Sequence, residues 1–485
     1  MRPRLLGHCR PSATVLVACT WVCRAVAASW YIAPWGNDTN PGTSNAPFAT
    51  PQKAFAVMAA GDTLWARGGT YALTAEARSA KGGTATNPCK LWAWPGEQPV
   101  FDFAGAPTGK RGLYLNHDFW HIRGIEVARA RDNGIFVGSS SNLIEGCVVH
   151  DCEDDGIYVG NNGRYNLILN CDSYRNFQPS SGGNNGDGFA AKSSAGPGNV
   201  FRNCRAWHNS DDGFDYYYNV TNAVVMEGCW AFWNGYDLWG VGTNFSGNGN
   251  GFKLGGAGTW AEHALTNCVA FGNRAKGFDQ NHNMGGLTLV HCTGYSNAVN
   301  FSLYETPTNG TLLRHRLINC VAFTGTATRL DPTALQLSNS WQNGPLTAAD
   351  FASLDAARAA APRRADFSLP WDTFLRPTEL GRLVDRGLDI GRPFWGAAPD
   401  LGAWEFVPDT VRPQLELVGG WSPGQAPKLR ARGLTGRGPV VWHASANLTN
   451  WLPVATNPAT LGAAEYLDAA GAALPRRFYR VIEQR

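Results

Sequence analysis

The chain has 485 residues, 44% hydrophobic and 16% charged, with 57 glycines and 19 tryptophans; this is room for more than one domain, and the composition is globular, turn-rich and all-β in character. No apolar run reaches the ~20 residues of a membrane span. The formal charge is +3, but residues 1–28 hold four arginines and no acid, residues 412–485 carry +5 and the body 29–411 carries −6, which argues against nucleic acid as a partner.

The first residues read as an export signal over 1–28: Arg2, Arg4 and Arg10, an apolar stretch over 13–22, then Ala25-Val26-Ala27 as a small-residue cleavage site. The expectation is a secreted protein, extracellular or periplasmic. Leu16-Val17-Ala18-Cys19 resembles a bacterial lipoprotein box, which makes lipid anchoring through Cys19 the alternative. Nine cysteines follow residue 28. An odd number at regular intervals is unlike a disulfide framework.

Residues 30–70 predict strand, turn, helix and strand. Trp30-Tyr31-Ile32 is β-rich, 37–42 is turn chemistry, and 51–60 has helical spacing with Pro51 in its first turn and Gly61 beyond its end. This resembles the start of many secreted parallel β-helix proteins, where a short helix caps the first coil. From residue 120 the chain repeats. Cys204, Cys229 and Cys268 each have an aromatic three residues on (Trp207, Phe232, Phe271) and an asparagine five residues on (Asn209, Asn234, Asn273). From Cys147 to Cys320 the steps are 24, 33, 25, 39, 24 and 28, a base unit of 24–26 residues with two large insertions. Such a period marks a solenoid, and units this short have no room for a long helix, so the reading is a parallel β-helix. Asparagine suits a stacked turn, because it tolerates the left-handed conformation and its amide can bond the next coil. The cysteines read as a buried apolar ladder. After residue 325 the repeat fades. Residues 357–361 are weakly helical, 398–405 resemble the closing strand of β-helix enzymes, 408–413 read as a linker, and 414–485 as a small β-sandwich-like domain; the β-helix proper is then 29–407.

A second phrase repeats around glycine, in Asn133-Gly134, Asp155-Gly156, Asp187-Gly188, Asp212-Gly213, Asn250-Gly251 and Lys276-Gly277. Two residues after the glycine stand Ala190, Asp215, Lys253 and Asp279 in successive coils, and Asp211 is an extra acid. If Phe189, Phe214, Phe252 and Phe278 point inward, these neighbours point outward. Any one aspartate here suits a β-helix turn for backbone reasons, and a lone lysine is an ordinary surface residue. Four carboxylates and one lysine together are different. The insertions, at 177–185 and 235–249, fall just before Asp187 and Lys253, and insertions on one face of a solenoid commonly wall a binding site. Converging carboxylates need a cation, and an all-oxygen set suits Ca²⁺.

The residues 187–192 (Asp-Gly-Phe-Ala-Ala-Lys), 205–215, 247–256 and 276–281 resemble the pectate lyases of polysaccharide lyase family nine. The match covers roughly 29–405. It implies a right-handed parallel β-helix that binds Ca²⁺ through Asp187, Asp211, Asp212 and Asp215, with Lys253 as the base. Lys276, Asp279, Asn250 and Lys192 are the further candidates for contacting substrate, and Lys276 or Lys192 would be the next bases to test. The expected activity is calcium-dependent β-elimination on an anionic, polygalacturonate-like polymer by a monomer. Two rivals remain. A β-helix glycoside hydrolase would use paired acids such as Asp211-Asp212, but the chain has no Gly-His-Gly of the polygalacturonase kind, and hydrolysis gives Lys253 no role. A non-catalytic carbohydrate-binding β-helix would use Ca²⁺ only structurally.

Overall fold

A computed structural model describes residues 27–192, 195–217, 222–256, 258–306, 314–369, 372–420, 422, 424–474 and 476–484. The expected signal segment through residue 26, with Cys19, lies outside the described residues. No helix among the described residues is long and apolar enough to cross a membrane.

The chain is a parallel β-helix. Three parallel sheets of twelve, ten and ten strands run along it, and each coil gives one short strand to each in turn, as in Val200–Arg202, Arg205–Trp207 and Phe214–Asp215. The helix Pro51–Val57 caps the first coil: Thr50 accepts the Lys53 N–H, and Pro51, Ala54 and Phe55 are buried. Inside, Phe189, Phe214, Phe252, Phe278 and Phe301 stack face to face at 4.8–5.0 Å, which is one coil spacing.

The residues at the turns explain the repeat. Seven of the cysteines, Cys147, Cys171, Cys204, Cys229, Cys268, Cys292 and Cys320, lie between the first and second sheets, and all nine are free and buried. Each thiol of the ladder reaches a carbonyl of the coil before, as Cys204 Sγ does at 3.4 Å from Ile168 O. The asparagines lie between the second and third sheets. The Nδ2 of Asn176, Asn209, Asn234 and Asn273 donates to Oδ1 of the next asparagine at 2.9–3.1 Å, and the backbone N–H donates to the same oxygen. The left-handed conformation belongs to the residue before each: Arg175, His208, Trp233 and Gly272, with φ of 54–58°. The ladder asparagines are therefore selected by their amides alone.

Two expectations after residue 325 are corrected. Residues 357–360 form a turn, not a helix, and 398–405 form no strand. The outer face of the second sheet is apolar, with Trp207, Trp230, Phe232 and Phe271, and irregular chain covers it through Phe351, Phe374, Leu401 and Ala403. A buried aspartate, Asp172, holds this cover to the coils by pairing with Arg205 at 2.6 Å and with Arg363 at 2.7 Å. Beyond it, two three-stranded antiparallel sheets enclose Leu429, Ala431, Leu434, Val440, Trp442 and Ala464.

Candidate active site

The site lies on the outward face of the third sheet. The register pairs Ala190 with Asp215, Asp215 with Lys253, and Lys253 with Asp279. The residues before the glycines form a second column: Asp155, Asp187, Asp212, Asn250 and Lys276. Here each backbone N–H donates to Oδ1 of the residue one coil back, at 3.3 Å for Asp187, 2.8 Å for Asp212, 2.7 Å for Asn250 and 3.3 Å for Lys276. One carboxylate oxygen of each aspartate is thus committed to the stack and the other is released to the site. Asn250 adds its Nδ2, which donates to Asp212 Oδ1 at 2.9 Å.

The released oxygens converge. Asp187, Asp212 and Asp215 offer carboxylate oxygens within 4.8 Å of one another. Two ammonium groups lie among them. Lys253 Nζ is 3.1 Å from Asp212 Oδ2 and 3.4 Å from Asp215 Oδ2. Lys192 Nζ is 2.6 Å from Asp187 Oδ2, 2.9 Å from Asp215 Oδ2 and 3.6 Å from Asp155 Oδ1. All six side chains are buried, so their charges interact with little solvent screening.

Acids outnumber bases here, and the proton affinities divide accordingly. Burial, with Asp211 and Asp187 beside it, pushes the Asp212 carboxyl well above the ordinary range. Burial and Asp187 push Asp211 up to about 6. Burial also raises Asp187, but Lys192 and Lys253 outweigh it and hold that carboxyl low. Burial opposes the Lys253 ammonium, yet Asp212, Asp215, Asp211 and Asp187 together hold its proton affinity well above that of an ordinary lysine. Lys192 is raised in the same way by Asp155, Asp187 and Asp215. The set fits a divalent cation on two further counts. Asp212 Oδ2 is buried and makes no hydrogen bond among the described residues, with the Lys253 ammonium 3.1 Å away, and the donors are all carboxylate oxygens, which suits a hard cation.

Asp211 stands apart from the three. Its Oδ2 accepts the Asn185 N–H at 3.1 Å and its Oδ1 accepts the Asn248 N–H, so it ties both insertions to the coil. The insertions also meet each other: Phe177 stacks on Trp239 at 4.7 Å, and Ser246 N donates to Gly182 O at 3.0 Å. Lys276 pairs with Asp279 at 2.8 Å, beside the cluster rather than within it. Two residues escaped the sequence reading. Asp155 was legible, since it fills the position of Asp187 one coil earlier. Tyr217 was signalled only by Gly255-Gly256: a Cβ on Gly256 would meet the tyrosine ring at 1.8 Å. That ring lies 5.0 Å from Lys253 Nζ, and the Tyr217 N–H donates to Asp215 Oδ1 at 2.8 Å.

Comparison with known proteins agrees with this architecture. The family model described as "Pel9A-like, right handed beta helix region" matches residues 30–319. Pectate lyase L of Dickeya chrysanthemi is 39% identical over 393 residues, 78% of this chain and 90% of the relative. Pectate lyase PEL9 of Emericella nidulans is 32% identical over 398 residues, 74% of this chain and 95% of the relative. The crystal structure of pectate lyase Pel9A superposes with a TM-score of 0.73 at 36% identity, covering 79% of this chain and 97% of that one. A rhamnogalacturonan lyase follows with a TM-score of 0.65 at 28% identity, covering 73% and 97%. The chain is therefore a polysaccharide lyase, a right-handed parallel β-helix belonging to the Pel9A-like pectate lyases of polysaccharide lyase family nine.

Proposed function

We propose that the protein is a secreted, calcium-dependent lyase that cleaves polygalacturonate by β-elimination, with Lys253 as the base. The observation that carries this is the juxtaposition of Lys253 with Asp212 and Asp215 in one buried cluster. Asp187, Asp212 and Asp215 would hold Ca²⁺, with Asp211 fixing the loops around it. The ion would supply positive charge beside the uronate carboxylate, which makes the neighbouring C5 proton more acidic. Lys253 Nζ, in its neutral form, takes that proton. The C5–H electron pair forms the C4–C5 double bond, the C4–O bond breaks, and the leaving oxygen takes a proton from water. Tyr217, beside the lysine, and Lys192, at the other side of Asp215, flank the position of the sugar.

The test is a panel of polygalacturonate, rhamnogalacturonan and alginate, with and without chelator. Elimination gives an ultraviolet-absorbing unsaturated product, hydrolysis gives reducing ends without it, and a binder gives neither. A calcium-dependent rise in absorbance on polygalacturonate is the expected result; reducing ends without absorbance would overturn the proposal.

Residues 414–485 have their own core and, among the described residues, no part in the cluster. A chain ending at Pro408 should therefore turn over short soluble oligosaccharides at the full rate. The +5 charge of 412–485 suits retention near an anionic polymer, so the same truncation should weaken salt-sensitive binding to insoluble pectate. Turnover lost on short oligosaccharides would contradict the first expectation, and retention that ignores salt would contradict the second.

A further inference from the structure

The outward columns of the site continue for several coils toward the N-terminus, and there the chemistry changes. Beyond Ala190 the register runs through Tyr158, Phe136, Tyr114 and Arg78. The three rings form a ladder: Phe136 stacks on Tyr158 at 5.0 Å, and Tyr114 meets Phe136 edge-on at 5.0 Å. Tyr158 is half-buried, and Gly160 leaves room for its ring, since a Cβ there would lie 2.4 Å from it. The column before the glycines continues as well. The Gly112 N–H bonds Asn133 O and the Gly134 N–H bonds Asp155 O, so Arg111 occupies the place that Asp187 and Asp212 occupy farther along.

Arg111 is the unusual member. Its neighbours are paired: Arg78 with Glu76 at 3.0 Å and Arg131 with Glu153 at 2.8 Å. Among the described residues Arg111 meets no carboxylate, and its Nε is buried without a hydrogen bond. Its guanidinium lies 3.8 Å from the Phe136 ring centroid and 4.9 Å from that of Tyr114. Cation–π contact holds the plane in place but satisfies no N–H. A half-buried guanidinium with unused donors is a site for a planar anion, and a carboxylate matches its fork.

We propose that Arg111, on the Tyr114–Phe136–Tyr158 ladder, binds a carboxylate of the uronan several sugars away from the bond that breaks, with a pyranose ring packed against Tyr158. This rests on the reading of the protein as a uronan lyase. Four register steps separate Phe136 from Lys253, on the order of 19 Å at ~4.8 Å per coil. A trisaccharide spanning the scissile position is too short to cover that distance to Arg111, whereas the polymer covers it.

The experiment compares KM on polygalacturonate with turnover of trigalacturonate, for wild type and Arg111→Gln. The expected result is about a tenfold rise in KM on the polymer, the scale of losing one hydrogen-bonded charge, with the loss confined to long chains. Arg111→Lys keeps the stem over Phe136 and one charge without the fork, and should fall between the two; it also serves if Arg111→Gln does not fold. Affinity electrophoresis through polygalacturonate, in a Lys253→Ala background, measures the same contact without turnover. A protein that retards in polygalacturonate, and less so with Arg111→Gln, supports the subsite even if the elimination assay fails. Unchanged polymer KM and unchanged retardation, or equal losses on trigalacturonate and polymer, overturn it while leaving the lyase reading intact.

Discussion

Lys253→Ala is expected to lower turnover by at least the ~10²–10⁴-fold of a lost general base, with the β-helix still folded. The side chain points away from the Phe252 stack, so the ladder does not depend on it. Asp215 would keep Lys192 at 2.9 Å as a counter-ion. The ammonium competes for Asp212 and Asp215, so its removal should leave calcium affinity undiminished or raise it. Lys253→Arg should recover little, because a guanidinium stays protonated and cannot accept the C5 proton. The pH profile follows from the same contacts. Burial favours the neutral lysine, and the four carboxylates override it and raise its proton affinity; three of them, Asp187, Asp212 and Asp215, are the groups a bound cation would engage. Wild-type rate should then rise with pH as the ammonium deprotonates. If Lys253→Arg keeps most of the activity with an unchanged profile, Lys253 only binds carboxylate, and Lys192, already inside the cluster, becomes the base to test.

The fold was legible because each coil repeats a few residues whose duties are local. Cys204, Asn209 and Phe214 recur since each must meet its copy one coil away, and the spacing of those copies alone implies a solenoid. The register of Asp215 with Lys253 followed from the glycine phrase for the same reason. What the phrase could not convey was how the two oxygens of each aspartate divide between the stack and the site, because that depends on the backbone N–H of the next coil. Nor could it separate Asp211 from Asp212: adjacent in sequence, one releases an oxygen into the cluster and the other ties down two insertions of irregular conformation. The cover over Trp207 and Phe271 was misread for a related reason. Residues 346–404 pack by matching an apolar face without repeating, so periodicity carries no signal of it.

Asp215→Asn should abolish calcium-dependent activity, by at least about 10²-fold if the ion supplies the several kcal/mol of charge stabilisation usual for a metal in such a role. The amide keeps an oxygen for the Tyr217 N–H at the position Oδ1 now holds, and no backbone N–H of a neighbouring coil depends on Oδ2, which pairs with the Lys192 and Lys253 ammonium groups, so the coils should still stack without calcium. Melting with calcium is the sharper measurement. Binding to the folded state alone stabilises by about 2.7 kcal/mol at a hundredfold excess over Kd, and Asp215→Asn should lose most of that gain. The gain should itself depend on pH. Burial and neighbouring acids raise Asp211 to about 6 and Asp212 well above the ordinary range. Carboxyls raised above their unfolded values contribute stability below the unfolded value, and it is lost as pH rises through the folded one. Without calcium the contribution of these two carboxyls to stability should therefore fall from about pH 4 upward. The ion needs the ionised carboxylates, so its affinity rises over the same interval. The calcium-induced shift in Tm should thus be larger at pH 8 than at pH 5. A shift that is equal at both, or one that survives Asp215→Asn, would place the ion elsewhere on the chain.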